Sequence, residues 1–273
     1  GVPLLYTVPM LEPLALHKIQ RRITGAIFAS ESLFAAGYIA SITLMSLNAA
    51  QLSGTEALVG VPSTMSLLVR ALAAVPIGWM MDKFGRRPIV TLGYLFGVIG
   101  LITGGLAVGM GSFAMLCLGA GITGIANGAS QQTRFIASEV WPAARRSSII
   151  GFIVFAGTIG AIGGPLLVAP ASAWAEKLGF AANSGPYYIG ALITLVSMIL
   201  AFTLLRPDPK RISASMEAAK VSAGDAPQLA RPLGNIFRLA PVQLAVASMV
   251  VGQLVMTLVM VITPVYMHHL NHS

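Results

Sequence analysis

Charged residues are scarce in this sequence of 273 residues: they make up 10% of it, whereas about 25% is usual for a soluble domain. So little charge cannot cover a soluble globular surface, and a disordered chain would also be more polar and more charged. Cys117 is the only cysteine, which excludes a scaffold held together by disulfides. The sequence is instead 56% hydrophobic, with a mean hydropathy of +0.81, and this composition indicates an integral membrane protein.

Long apolar stretches between charged residues predict seven membrane-spanning helices, because one span needs about 20 apolar residues. Residues 88–133 carry no charge, which fits two spans joined by a tight turn at residues 110–112. Proline-containing segments at 183–186 and 206–209 separate the sixth span from its neighbours. The predicted spans are 24–48, 57–81, 88–109, 113–138, 147–169, 186–205 and 240–265.

The basic residues are distributed unevenly over the predicted loops. Seven alternating spans place 15 of the 17 lysines and arginines on one side of the membrane, the exceptions being Arg70 and Lys177. The positive-inside rule makes that side cytoplasmic and places the N-terminus inside. The net charge of +8 is then a topology signal, and no nucleic-acid-binding face is expected. We therefore expect an all-α, multi-pass protein in the lipid bilayer of the plasma (inner) membrane.

The predicted cytoplasmic loop after the second span has a distinctive spacing. It contains Gly78, Asp82, Gly85, Arg86 and Arg87. From the residues alone it is a short basic turn in which Gly85 can take a positive φ. The pattern G-x-x-x-D-[RK]-x-G-R-[RK], in this position, resembles the signature loop of the major facilitator superfamily of secondary transporters.

That resemblance implies roles for three residues of the loop region. Arg86 is expected to pair with an acid at the cytoplasmic end of the fourth span, here Glu139. Asp82 is expected to face the N-terminal end of a helix in the second half of the transporter. These residues would gate the transporter and would not bind substrate. One departure is Met115, which stands where the family often has an arginine linked to proton transfer.

The fifth span carries a pattern of small residues. It contains Gly151, Gly160, Gly164 and Pro165. Small residues four apart favour close helix packing, and that is one interpretation. The pattern also resembles the antiporter motif of the superfamily, although Val168 and Ala169 stand where that motif closes with two further glycines. On this resemblance we predict proton-coupled antiport over symport or uniport.

Two ionisable residues fall inside predicted spans, where such residues are candidates for function. Glu31 is predicted to carry the coupling proton or to contact a cationic substrate, and Arg70 to bind an anion near the membrane midplane. The alternative is that the two side chains only neutralise each other as an ion pair. Tyr38, Asn127 and Gln131 are further candidates, and the last two are four residues apart on one helix face.

Catalytic and metal-binding patterns are absent from the sequence. There is no nucleophile elbow, phosphate-binding loop or zinc-binding helix motif, so we expect neither an enzyme nor a cofactor. His268, His269 and His272 have a spacing that can bind metal, but no carboxylate lies near them, so no metal site is predicted.

Members of the superfamily have twelve helices in two halves, and this implies a division of the chain. Residues 1–23 would be a cytoplasmic segment, 24–205 a six-helix bundle of two inverted three-helix repeats, 206–239 a cytoplasmic linker, and 240–273 the seventh helix with an external tail. We expect a chain truncated after that helix, whose partner is the missing C-terminal half. A half-transporter and a seven-helix receptor are alternatives, but receptors place the N-terminus outside.

Taken as a major facilitator transporter, the chain is expected to export a small molecule in exchange for protons. Alternating access would come from the rocking of two halves around a site at the midplane. A symporter or uniporter for a metabolite is the alternative within the same fold.

Overall fold

A computed structural model describes residues 13–222, 239–252 and 255, and these are almost entirely helical, with no strand among them. The helices are α1 (Pro13–Thr43), α2 (Met45–Ser53), α3 (Val61–Phe84), α4 (Arg86–Met110), α5 (Phe113–Glu139), α6 (Ala143–Lys177), α7 (Gly185–Leu204), α8 (Pro209–Ser222) and α9 (Ala240–Gly252). Short 3-10 turns at Glu56–Leu58 and Ala182–Ser184 precede α3 and α7. The predicted all-α membrane class is confirmed.

Within the part of the chain that the structure describes, six helical segments are long and apolar enough to cross a membrane. The first of them, Leu16–Ser53, combines α1 with α2, and the others correspond to α3 to α7. All six lie in one compact unit that ends at Ala219, while α9 lies in a second unit. The helix α9 falls within the predicted seventh span. Apart from Val255, the remainder of that span lies outside the described residues, as do the three histidines of the C-terminal tail.

The turn between the third and fourth spans lies where the sequence predicts it. Gly111 follows the last residue of α4 with a φ of +68°, which suits glycine because it has no Cβ. The side chain of Ser112 then accepts a hydrogen bond from the backbone N–H of Met115 and caps α5.

Two of the predicted spans are too short. The helix α1 begins at Pro13, eleven residues before the predicted start, because Lys18, Arg21 and Arg22 belong to its first turns. The side chain of Gln20 there donates to the carbonyl of Val140 at 2.6 Å, which holds this extension against the end of α5. Likewise α6 covers residues 143–177, not 147–169, because Pro165 and Pro170 are accommodated inside it.

Small residues determine how closely the helices approach one another. The pairs in closest association are α4 with α5, α1 with α6, α3 with α5, and α1 with α7. At the crossing of α1 and α7, a Cβ on Gly37 would lie 2.8 Å from the carbonyl oxygen of Gly190, so both helices need glycine there. This packing brings α1, α3 and α5 together around the predicted site residues.

The first part of the predicted linker 206–239 is helical, since α8 begins at Pro209. Ile212 of α8 is buried in the same apolar cluster as Leu205 and Trp141. The linker therefore begins with a helix packed on the six-helix bundle, which the sequence analysis does not predict.

Candidate functional site

Glu31 is the only acidic residue in α1, and its carboxylate is held by hydroxyl groups of α5. The Ser130 hydroxyl lies 2.7 Å from Oε1 and 2.9 Å from Oε2 of Glu31. The Thr133 hydroxyl lies 3.1 Å from Oε2. A partly buried carboxylate within a membrane helix thus has neutral donors as its partners.

The Thr133 hydroxyl has two possible acceptors but only one hydrogen. Its oxygen lies 2.7 Å from the backbone carbonyl of Ser130 and 3.1 Å from Glu31 Oε2. A hydroxyl can donate one hydrogen bond and accept others. When Thr133 donates to the nearer carbonyl, its oxygen is free to accept a hydrogen from a protonated Glu31. The same arrangement therefore suits both protonation states of the carboxyl group.

A small cavity lies beside this carboxyl group, between α1, α5 and α6. Its volume is about 130 Å³, which is room for roughly four waters. Glu31, Ser130, Gln131, Thr133 and Arg134 line it, together with apolar residues within 153–157 of α6. Water in such a cavity could pass protons to and from Glu31.

Arg134 is the cation that lines this cavity. It counts among the basic residues predicted to be cytoplasmic, although the predicted span 113–138 includes it, and it lies inside α5, five residues before the helix ends at Glu139. It lines the cavity with Glu31 without forming an ion pair, since ion pairs in the described part of the chain are limited to those of Arg86.

Arg70 and Asn127 form a second polar group in the bundle. The Arg70 Nη1 donates to Asn127 Oδ1 at 3.2 Å, joining α3 to α5. Arg70 lies twelve residues from Asp82, or about 18 Å along α3. The structure does not bring Glu31 and Arg70 into an ion pair: each has its own neutral partners.

Tyr38 and Gln131 complete the predicted set. The hydroxyl of Tyr38 lies 3.4 Å from that of Ser66, which is one turn from Arg70 on α3. Gln131 is exposed and lines the cavity beside Glu31. Four of the five predicted residues therefore divide between the Glu31 cavity and the Arg70–Asn127 contact, while Tyr38 lies one turn further along.

At the end of the bundle where α4 begins, Arg86 forms two charge-assisted hydrogen bonds with Glu139. The Arg86 Nε lies 3.1 Å from Oε2 and the Nη2 lies 3.0 Å from Oε1, a two-point contact between α4 and α5. Asp82 joins from α3, with Oδ1 2.7 Å from Arg86 Nη1. The expected contact of Asp82 with a helix of the second half stays a prediction.

Asp208, which follows α7 in the chain, lies at the same end of the bundle. Its carboxylate accepts hydrogen bonds from the backbone N–H of Arg86 at 3.2 Å, of Arg87 at 3.1 Å and of Lys210 at 2.9 Å. The residue before α4 is Gly85, with φ +104°, which has no side chain to cap that helix. Asp208 therefore caps α4 from a distant part of the chain, and α8 as well.

The four residues of the glycine pattern in α6 have different surroundings. A Cβ on Gly160 would lie 2.5 Å from the Ser32 carbonyl oxygen, and one on Gly164 would lie 2.7 Å from the Ile39 Cβ. Nothing lies within 4 Å of the same position on Gly151, and Pro165 is exposed. Gly160 and Gly164 thus permit the close contact of α6 with α1, as the packing interpretation expects.

Sequence reasoning missed Ser130, Thr133 and Asp208. The two hydroxyl residues are three apart on α5, but a serine and a threonine among many small residues gave no signal of their partner. The pair Asp208-Pro209 did carry a signal for the start of α8, since aspartate before proline is a common helix start.

Comparison with known proteins identifies the family. The family model described as Major Facilitator Superfamily matches residues 27–273, which is most of the sequence. The chain belongs to the major facilitator superfamily. The loop at Gly78–Arg87 and the six-helix bundle are thus features of a superfamily member, as their resemblance implied.

Three curated relatives within the superfamily are similar over most of this chain. Two are uncharacterized MFS-type transporters of Bacillus subtilis, YdeG and YddS, 28% and 27% identical over 93% and 94% of the chain. The third is the riboflavin transporter RfnT of Brucella anthropi, 29% identical over 85% of the chain. The matches cover 59%, 59% and 55% of these relatives, so the chain spans little more than half their length.

Proposed function

We propose that this chain is part of a secondary active transporter that exchanges a small molecule for protons, with Glu31 as the proton-carrying residue. The observation that carries the proposal is the environment of Glu31: a carboxyl group in a membrane helix whose partners are the hydroxyls of Ser130 and Thr133. Membership of the superfamily supports a transport function and not an enzymatic one.

Neutral partners suit a residue that must gain and lose a proton. An arginine or lysine bound to Glu31 would favour the charged carboxylate and oppose protonation. A hydroxyl can accept from the protonated acid as well as donate to the carboxylate. The hydrogen bonds to Ser130 and Thr133 can therefore persist through both steps of a transport cycle.

Arg70 is the proposed substrate-binding group. It is a cation inside a membrane helix, and among the described residues its guanidinium donates only to the neutral Asn127. A buried charge without a counter-ion is costly unless a ligand neutralises it. We assign to Arg70 and Asn127 the binding of an anionic or strongly polar group of the substrate, with Tyr38 beside them.

The contacts of Arg86 are the proposed gate. Two-point pairing with Glu139 ties α4 to α5 at the end of the bundle, and Asp82 adds α3. Each of these partly exposed ion pairs contributes at most about 3 kcal/mol, so the contacts can be made and broken during a cycle. In this proposal they stabilise the outward-facing state.

The proposed setting is the plasma (inner) membrane with the N-terminus in the cytoplasm, from the distribution of basic residues. The proposed partner is a second six-helix half, because the curated relatives are much longer than this chain. The proposed substrate site lies between the two halves.

A second candidate is symport or uniport of a metabolite. One relative is a riboflavin transporter, and on that similarity the substrate in this candidate is a metabolite. The α6 glycines do not separate the two candidates, because Gly160 and Gly164 are explained by packing against α1.

The test is transport by the full-length protein in proteoliposomes that contain a pH-sensitive dye. A panel of small molecules, including riboflavin, is offered with and without an imposed pH gradient. Antiport predicts that at least one compound moves against the proton flow and that the dye reports proton movement only with that compound. Compound and protons moving in the same direction would support symport, and transport without proton movement would support uniport.

A further inference from the structure

A cleft of the bundle lies away from Glu31 and Arg70, at the end that carries Arg86. Its volume is about 750 Å³, and it opens between the end of α3, the start of α4, the end of α7 and the start of α8. Its charged lining residues are Lys83, Arg87, Arg206, Lys210, Arg211 and Asp208.

Positive charge dominates this cleft, with five cations against one anion. The anion is already engaged, because the Asp208 carboxylate accepts the backbone N–H groups of Arg86, Arg87 and Lys210. Among the cations, Lys210 donates to the Asp82 carbonyl, whereas Arg87 Nη2 has no hydrogen-bond partner. The residues that line the cleft therefore carry a net positive charge.

Exposed aromatic rings lie among these cations. The Arg87 guanidinium lies 4.5 Å from the ring centre of Phe202, and that of Arg206 lies 5.6 Å from the same ring. The Lys83 ammonium lies 5.4 Å from the ring of Phe84. Phe84 and Phe202 are 58% and 51% exposed, so apolar rings are accessible beside the cations.

An apolar strip leads from the cleft along the membrane-spanning helices. On α7 its exposed residues are Phe202, Ile199, Val196 and Leu192. The neighbouring α4 carries a parallel strip of exposed Leu95, Ile99, Ile102 and Leu106. From residue 202 to 192 is about 15 Å, which is half the thickness of the hydrocarbon core and so the depth of one leaflet.

We propose that this cleft binds the phosphate-bearing headgroup of an anionic phospholipid, with the acyl chains lying along the exposed strips of α7 and α4. The cations supply the attraction to the phosphate, and the continuity of the cleft with an apolar strip distinguishes a lipid from a soluble phosphate compound. The anionic cytoplasmic leaflet would supply such lipid on the side where the basic loops are placed.

The test measures lipid binding to the full-length protein by native mass spectrometry, with phosphatidylglycerol or phosphatidylcholine of identical acyl chains as the probe. The cleft variant is Arg206→Gln with Arg211→Gln, both of which have exposed side chains. The matched control is Lys18→Gln with Arg21→Gln, which removes the same charge from the exposed start of α1. Lys83→Gln, on α3, is a second cleft variant that is independent of α8.

We expect phosphatidylglycerol to bind about tenfold more tightly than phosphatidylcholine. The double cleft variant should weaken phosphatidylglycerol binding about 25-fold and Lys83→Gln about fivefold, since each cation near the surface contributes about a factor of five. The control should change it less than about twofold, because its residues lie outside the cleft.

Three results would overturn the proposal. Equal binding of the two lipids would mean that the headgroup charge is not recognised. Equal losses in cleft and control variants would mean that only the overall surface charge matters. Displacement of phosphatidylglycerol by millimolar inorganic phosphate would mean that the cleft binds a soluble phosphate group and not a lipid.

Discussion

One serine, Ser130 of α5, contacts both carboxylate oxygens of Glu31 in α1, at 2.7 and 2.9 Å. The contact joins the two helices through a group that has a single hydrogen to donate. It places the only acidic side chain of α1 at a defined position next to a cavity. The proposed proton pathway therefore depends on a residue that carries no charge itself.

Ser130→Ala should slow transport driven by a pH gradient about tenfold, because losing one hydrogen bond to a charged group costs about 1.5 kcal/mol. Ser130→Thr should retain most of the rate, since the hydroxyl is kept. The measurement is initial transport in proteoliposomes at a fixed gradient. Ser197→Ala is the control, because that buried hydroxyl donates to Ile193 in its own helix. Similar rates for both alanine variants would contradict a role for Ser130 in positioning Glu31.

The pairing of Arg86 with Glu139 should be measurable in a double-mutant cycle. Arg86→Gln and Glu139→Gln should show a coupling of about 1–3 kcal/mol in the free energy of unfolding, because the contact is partly buried and joins two helices at two points. The coupling of Arg86 with Asp82 should be below about 0.5 kcal/mol, since the Asp82 side chain is 72% exposed. Additive effects of Arg86→Gln and Glu139→Gln would show that the pair contributes nothing to stability.

Asp208→Ala should lower the free energy of unfolding by about 1–2 kcal/mol, because α4 and α8 both lose their capping acceptor. Asp208→Asn should cost much less, since an asparagine oxygen can accept the same hydrogen bonds. Denaturant titration in mild detergent measures both. An Asp208→Ala protein as stable as the wild type would show that capping across the bundle is unimportant.

Gly160→Ala and Gly151→Ala make the same chemical change on one helix but should differ in effect. At Gly160 the new methyl group would meet the backbone of α1, and overpacking of this kind costs about 1–3 kcal/mol. At Gly151 there is open space, and alanine favours a helix by up to about 1 kcal/mol. The melting temperatures of the two variants provide the comparison, and equal values would contradict the packing described for α6 and α1.

Much of the fold could be predicted from the sequence because the membrane imposes simple rules on it. Uncharged runs give the spans, and Gly111 marks the turn after α4 because only glycine tolerates its conformation readily. The ends of α1 and α6 were harder, since helices continue past the bilayer where hydropathy gives no signal. Charged residues such as Arg21 fit the exposed start of α1 without ending it.

The site was predictable only in part, for a physical reason. A charge within an apolar span is conspicuous, so Glu31 and Arg70 were found. Their partners are small neutral side chains on a different helix, and pairing across helices depends on a rotation that the sequence does not reveal. For the same reason Asp208, far from Arg86 in the chain, gave no sign that it caps α4.

The most direct test of Glu31 as the proton-carrying residue is the response of the Glu31→Gln protein to a pH gradient. Glutamine keeps the size and the hydrogen bonds of the neutral acid but cannot exchange a proton. The compound identified in the panel is followed in proteoliposomes with and without the gradient, and substrate exchange without a gradient serves as the control. Glu31→Gln should retain exchange and lose the acceleration by the gradient. Acceleration equal to that of the wild type would contradict the role of Glu31 as the proton-carrying residue.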